Sequence, residues 1–197
     1  MNPLLVVVGM PGAGKSTVVA HLAKRGWPTV YFGQITLSEI RRRAMTPSPE
    51  SEKEVRESLR REHGNDVYAQ KSLDLIRQCL DNAPAIVDGL YSWAEYKLLR
   101  SKLVNPVIVI AVCADRELRY KRLAQRPVRP LSPVEAEERD FAEIGNIQKG
   151  GPIAMADYTI LNNVSRAELE VAVDAIVSRI INTSGKGERE WIDRRDS

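Results

Sequence analysis

Apolar residues fall into two arrangements along this chain. Runs dominated by apolar residues occur at Leu4 to Val8, Thr29 to Phe32, Ala85 to Gly89 (ending in the carboxylate of Asp88), Val107 to Cys113 and Tyr158 to Leu161. Such short runs, rich in β-branched residues, predict strands, and continuous apolarity predicts burial on both faces. Between them, apolar residues recur at helical spacing. The spacing predicts helices over Ser16 to Arg25 (ended by Gly26), Gln34 to Ala44, about Glu50 to Glu62, and Asp66 to Leu80. Thr46-Pro47-Ser48-Pro49 and Gly64-Asn65 separate the last three. The apolar pattern of 50–80 is sparse (Val55, Leu59, Val67, Leu73, Leu75, Ile76). It predicts helices that cap one side of the molecule rather than fill its centre.

Helix starts are written into the second half. Ser92-Trp93-Ala94-Glu95 is a capping box for a helix to about Lys102. Asp115 is placed to cap the next helix, which the proline-rich segment Pro127 to Pro133 breaks. Ser132-Pro133-Val134-Glu135 restarts a helix with cap, N1 proline and N3 glutamate. Ser165-Arg166-Ala167-Glu168 opens a last one, with Leu169, Val173, Ile176, Val177 and Ile180 on one stripe. The segment 184–197 reads as a polar, disordered tail despite Trp191. Strands alternating with helices predict an α/β fold with a parallel sheet covered on both faces. Ligands in such folds lie beyond the carboxyl ends of the strands.

Composition narrows the class without choosing a function. The 197 residues, 43% hydrophobic and 28% charged, fit one ordinary globular domain. A net charge of +3 is too mild to imply nucleic acid by itself. Cys79 and Cys113 lie far apart in apolar runs and read as reduced core thiols. No signal peptide and no membrane span are legible, so the expected setting is cytoplasmic.

The chemistry concentrates after the first strand, in Gly9-Met10-Pro11-Gly12-Ala13-Gly14-Lys15-Ser16-Thr17. Strand, then G-x-x-x-x-G-K-S, then helix is the context a phosphate-binding loop requires. Its glycines let successive N–H groups face one concavity, and the following helix adds its positive end. Lys15 is then expected at the β- and γ-phosphates of ATP, and the Ser16 hydroxyl on Mg²⁺. The plainer alternative is a glycine-rich turn with Lys15 merely exposed. Asp88, ending an apolar strand, is expected opposite Ser16 on Mg²⁺; its alternative is a turn aspartate before Gly89.

Two groups of arginines follow. Arg116, Arg119, Lys121, Arg122, Arg126 and Arg129 crowd one helix and the loop after it, with Arg119, Arg122 and Arg126 on one face. Like charges on one face repel unless an anion relieves them, so the group reads as a lid closing on phosphate, joined by Arg139. A solvated basic face is the alternative. Arg41 to Arg43, Arg56, Arg60 and Arg61 are interleaved with glutamates, and most must be surface pairs. Arg42 and Arg60 are candidates for an acceptor phosphate, although the pattern leaves open which of these arginines serve. His21 and His63 have no partners at metal spacing.

With these pieces in place, the chain resembles the adenylate-kinase-type nucleotide kinases. It is most similar to the small archaeal adenylate-kinase-related proteins, and next to dephospho-coenzyme A kinase. The likeness runs from about Leu4 to Ile181. It is carried by the glycine loop, Leu59-Arg60 before Gly64-Asn65-Asp66, Val87-Asp88-Gly89, Lys121 to Arg126, Glu138-Arg139-Asp140 and Ala156-Asp157-Tyr158 through Asn162. The resemblance implies a P-loop three-layer sandwich with a five-stranded parallel sheet over 1–183. Within it, 34–82 would form acceptor-binding helices and 126–150 a lid. It also implies that Arg122 stacks on the donor adenine and that Arg126 and Arg139 contact its phosphates. Gly33, Asp88 and Gly89, at the carboxyl ends of their strands, are expected to border the acceptor.

Two departures bear on the acceptor. Gln34 stands where the family usually has an acid, and Leu90-Tyr91 where relatives carry an arginine. A phosphate acceptor needs no general base, so the missing acid favours a nucleotide acceptor over a ribose hydroxyl. The resulting expectation is an ATP- and Mg²⁺-dependent kinase acting on a nucleoside monophosphate or similar nucleotide, as monomer or homodimer. Transfer to a coenzyme A precursor is the runner-up, and a non-catalytic ATP-binding regulator the third reading. Aromatic residues are only 6% and do not interleave with the arginines, so no nucleic-acid partner is expected.

Overall fold

A computed structural model of the chain describes residues 1–184, and the polar tail expected from the sequence lies outside them apart from Ser184. Five strands, β1 (Leu4–Val8), β2 (Thr29–Tyr31), β3 (Ala85–Asp88), β4 (Val107–Cys113) and β5 (Tyr158–Leu161), form one sheet in the order β2-β3-β1-β4-β5. Every pairing is parallel. The register sets Val7 level with Asp88 and Val8 level with Ala111, so the ends of β1, β3 and β4 open at one edge.

Alternation along β1 explains why its sequence is wholly apolar. Leu4, Val6 and Val8 join one buried cluster, Leu5 and Val7 the other. The second cluster is completed by α1 (Lys15–Ala23) and α9 (Arg166–Ser184). The predicted stripe of α9 is the packed one: Leu169, Val173, Val177 and Ile180 are buried. His21 of α1 meets Asp174 of α9 at 2.9 Å, tying that layer together.

The first cluster collects α2 (Gly33–Arg42), α3 (Pro49–His63), α4 (Val67–Asn82) and α5 (Trp93–Lys102). Here the reading of α3 and α4 as a peripheral cap is corrected. Val55, Leu59, Val67, Tyr68, Ala69, Ile76 and Leu80 are all buried in the same cluster as the strands. Tyr68 and Ala69 supply packing that an aliphatic count overlooks, while Leu75 faces outward.

The remaining helices are α6 (Arg116–Ala124), α7 (Pro133–Ile147) and the short α8 (Gly150–Ala154), which the sequence pattern did not reveal. The capping boxes at Ser92, Ser132 and Ser165 form as predicted. Asp115 does precede α6, but its side chain makes no cap; its N–H instead donates to Asn163 Oδ1 at 3.0 Å. Cys79 and Cys113 are free thiols. No helix among the described residues is long and apolar enough to cross a membrane.

Candidate functional site

The loop from Gly9 to Gly14 is held on three sides, and two of its glycines show why. Gly12 has φ +79°, and a Cβ there would lie 2.6 Å from the carbonyl oxygen of Arg119 in α6. Gly14 has φ +103°, and a Cβ would lie 2.2 Å from Nδ2 of Asn162. Asn162 is buried after β5 and donates from that nitrogen to the Ala13 carbonyl at 2.7 Å. Pro11 and Ala13 are buried, and Gly9 lies against the Val112 carbonyl at the end of β4. No side chain caps α1 at Gly14. Uncapped first-turn amides and the positive end of the helix therefore face the loop, where an anion satisfies both.

Lys15 begins α1 and turns its ammonium inward. Nζ donates to the carbonyls of Gly9 at 2.8 Å and Met10 at 3.1 Å. Loss of hydration, then repulsion from Lys149 and Arg139, brings its pKa down to about 7, against the pull of Glu143 and Asp88. Asp88 ends β3 half-buried, and desolvation raises its pKa despite Lys15. Ser16 is exposed at the mouth and Thr17 half-buried behind it. The oxygen donors available to a cation here, the Ser16 hydroxyl and the Asp88 carboxylate, suit Mg²⁺ completed by phosphate oxygens and water. The uncapped helix end, the glycine cradle and Lys15 suit a triphosphate.

The basic helix divides in a way the sequence did not show. Arg119 is not a lid cation: it is buried, paired with Asp140 of α7 at 2.7 Å, and donates to the Pro11 carbonyl at 3.0 Å. Arg122 donates to the Asn162 carbonyl at 3.0 Å beside the loop, and its buried Nη1 has no partner. Arg126 forms no ion pair among the described residues; desolvation and then repulsion from Arg139 lower its pKa. Arg139 donates to Glu143 at 3.0 Å. Arg129, at φ +56° in the loop before α7, grips Glu52 of α3 through two hydrogen bonds of 2.6 and 2.9 Å. The lid loop and α3 are thus bridged.

On the other side of the cleft, Gly33 lies under the ring of Tyr31, whose backbone is level with Asp88. Gly89 follows Asp88, and a Cβ there would lie 3.4 Å from Phe32 and from the Tyr91 ring. Arg60 reaches within 3.9 Å of Glu95, stands over the Tyr68 ring, and leaves its buried Nε unpartnered. Arg42 is not brought to this group: it is exposed and closes on Glu39 of its own helix, at 2.6 and 2.7 Å.

Two residues of the site, Lys149 and Glu143, escaped the sequence reading. Lys149 is 2% exposed, pairs with Glu143 and lies 4.5 Å from the centre of the Tyr91 ring. Nothing in Gln148-Lys149-Gly150-Gly151 distinguishes a buried lysine from a surface one. The nearest hint is the glycine pair: a Cβ at Gly151 would lie 2.8 Å from the Trp93 ring, so α8 packs tightly enough to bury its neighbour.

Comparison with known proteins agrees with this architecture. Over 91% of the chain it is similar to the structure of TT1252 from Thermus thermophilus, with 98% of that chain covered, TM-score 0.61 and 21% identity. Shikimate kinase from Acinetobacter baumannii, in complex with shikimate, gives 93% and 95% coverage, TM-score 0.54 and 19% identity. A gluconokinase from Sinorhizobium meliloti gives 90% and 93% coverage, TM-score 0.55 and 13% identity. At those identities the likeness shows the fold, that of P-loop kinases. A UPF0200 protein of Thermococcus gammatolerans is 34% identical over 188 residues, covering 93% of this chain and 98% of that one. Residues 5–141 match the family model described as AAA domain, so the chain belongs to that family, and by its likeness to the Thermococcus protein it belongs to the UPF0200 proteins.

Proposed function

We propose that this protein is an ATP- and Mg²⁺-dependent phosphotransferase that moves the γ-phosphate to a nucleoside monophosphate or a similar nucleotide. The observation that carries the reading is the glycine cradle between β1 and the uncapped α1, with Lys15 folded into it and a carboxylate, Asp88, beside it. On binding, Lys15 exchanges the Gly9 and Met10 carbonyls for phosphate oxygens. Mg²⁺, when bound with the nucleotide, neutralises charge on those oxygens; Ser16 and Asp88 would hold it. Arg126, lacking a carboxylate partner among the described residues, is the cation freest to meet charge developing on the transferring group. Arg122 with its unpartnered Nη1 borders the donor side, and Arg60 with its unpartnered Nε the acceptor side.

A second reading rests on Asp88. A carboxylate whose pKa is raised by burial is a better base than a solvated one, which suits a hydroxyl acceptor such as a coenzyme A precursor. Incubating the protein with ATP, Mg²⁺ and a panel of nucleoside monophosphates decides between them. ADP formed with one or a few monophosphates supports the first reading, and turnover with dephospho-coenzyme A alone supports the second. ATP binding without acceptor-dependent ADP would leave a nucleotide-binding regulator.

A further inference from the structure

We propose that Lys149 is a second ammonium of the phosphoryl-transfer site, set by Glu143 and the Tyr91 ring to bind the terminal phosphate of the donor across the cleft from Lys15. The proposal rests on the phosphotransfer reading and adds a residue to it. A buried ammonium is costly to hold unless something in the fold requires it. This one is fixed on every side. Its Nζ pairs with one oxygen of Glu143, whose other oxygen accepts from Arg139, so a single carboxylate positions two cations. Its backbone N–H donates to the Glu143 carbonyl at 3.2 Å, and the Tyr91 ring lies beneath the charge. Just beyond it, α8 is pinned by Gly151 against Trp93, which stacks on Tyr96.

A simple structural pair would be balanced, and this one is not. The Tyr91 ring that carries Lys149 lies 3.4 Å from where a Cβ on Gly89 would stand, next to Asp88 at the strand ends, so Lys149 borders the same cleft as Lys15. Lys149 and Arg139 both repel Lys15 there, and Arg139 repels Arg126. Among the charges felt by Lys15, Lys149 weighs most. Two ammonium groups repelling each other beside a phosphate cradle are relieved by an anion between them. The γ-phosphate of the donor is the group of that charge the cradle would deliver there; the α- and β-phosphates stay with the loop amides.

The test compares Mg·ATP with Mg·ADP binding by calorimetry, because a γ-phosphate contact moves only their ratio. Lys149→Met alone leaves Glu143 buried with one partner and risks unfolding. Lys149→Met/Glu143→Met removes both charges at similar volume, a change that buried pairs often tolerate. The wild-type protein is expected to prefer ATP. The double variant should lose about ten- to a hundredfold of that preference, the range of one charge-assisted hydrogen bond, while its affinity for ADP changes little. Lys149→Arg should keep most of the preference. If the wild-type protein binds ATP better than ADP and the double variant keeps the ratio, the assignment of Lys149 is wrong while the phosphotransfer reading stands. If the wild-type protein binds neither nucleotide, the phosphotransfer reading fails and this one with it.

Discussion

Arg119 of α6 and Asp140 of α7 meet through two hydrogen bonds, Nη1 to Oδ1 at 3.2 Å and Nη2 to Oδ2 at 2.7 Å, and Nη1 also holds the carbonyl of Pro11. Both side chains are buried, so each protects the other from an uncompensated charge. The pair therefore fastens α7 to α6 and both to the phosphate loop. Asp140→Ala is expected to cost about 3–5 kcal/mol, the usual range for removing one partner of a buried pair. Urea denaturation measures it. Mg·ATP affinity should fall as well, since the outer edge of the loop loses its support; a midpoint unchanged within error would contradict this account.

Gly12→Ala probes the same contact from the loop side. Its φ of +79° is strained for alanine, and the new methyl would meet backbone, the Arg119 carbonyl at 2.6 Å, rather than a yielding side chain. Strain and overlap together should cost about 2–4 kcal/mol and remove measurable ATP binding. Gly26→Ala is the internal control. Its φ is also positive, but a methyl there has nothing within 4 Å, so only the backbone cost of about 1 kcal/mol remains.

These contacts mark where the sequence stops being legible. The strands and most helix starts could be read because each is signalled locally: β1 and β4 by unbroken apolarity, α5 and α7 by capping boxes. The glycine loop was legible for the same reason, since its chemistry sits in consecutive residues. Arg119 and Arg126 carry the same side chain seven positions apart, and nothing local says that one is buried on Asp140 while the other lacks a carboxylate partner. That difference is decided by α7, which arrives from elsewhere in the chain. Lys149 was missed for the same reason, its burial depending on α5 and Tyr91. Arg42 is drawn instead to Glu39, three residues away on its own helix.

The pKa of Lys15 predicts a proton signature for nucleotide binding. The free ammonium titrates at about 7, below its ordinary 10.5, because it is desolvated beside Lys149. A bound triphosphate favours the charged form and raises that pKa. Binding should therefore take up a proton, and affinity should fall as pH rises from about 7 toward 9. Calorimetry in buffers of different ionisation heat counts the protons. The fold has the linked dependence: with the folded pKa below the unfolded one, the unfolded chain binds more protons between about 7 and 10.5, and this group adds stability as pH rises. A proton count left unchanged by Lys15→Met would rule out Lys15 as the group that takes up the proton.

Arg126 separates catalysis from stability. Its charge is partly stripped of water and faces Arg139, and no carboxylate among the described residues pairs with it. Arg126→Ala should leave the unfolding midpoint unchanged or raise it slightly, by a few tenths of a kcal/mol, because a repulsion is relieved. With the acceptor that the panel identifies, kcat should fall by about a hundredfold or more if the guanidinium meets the transferring phosphoryl. Stability lost in step with activity would make Arg126 a structural residue instead.

Glu95 gives the fold a second, opposite pH dependence. Its carboxyl is fully buried, and burial pushes its pKa up to about 7 despite Arg60 and the N–H groups of Ser92 and Tyr91, which donate to it at 2.8 and 2.7 Å. With the folded pKa above the unfolded value of 4.5, the folded chain binds the extra proton between those values. Its contribution is full below about pH 4.5 and is lost as pH rises through 7, a span worth at most about 3 kcal/mol. Glu95→Gln keeps an oxygen for both N–H groups and cannot ionise. The variant should therefore gain on the wild-type protein between pH 5 and pH 8 in urea denaturation, whereas Glu95→Ala should lose about 2 kcal/mol at pH 5 by orphaning the α5 cap and correspondingly less at pH 8, where it too escapes the cost of ionisation. Parallel stability curves for the wild-type protein and Glu95→Gln would mean that Arg60, at 3.9 Å, already holds the carboxylate ionised throughout.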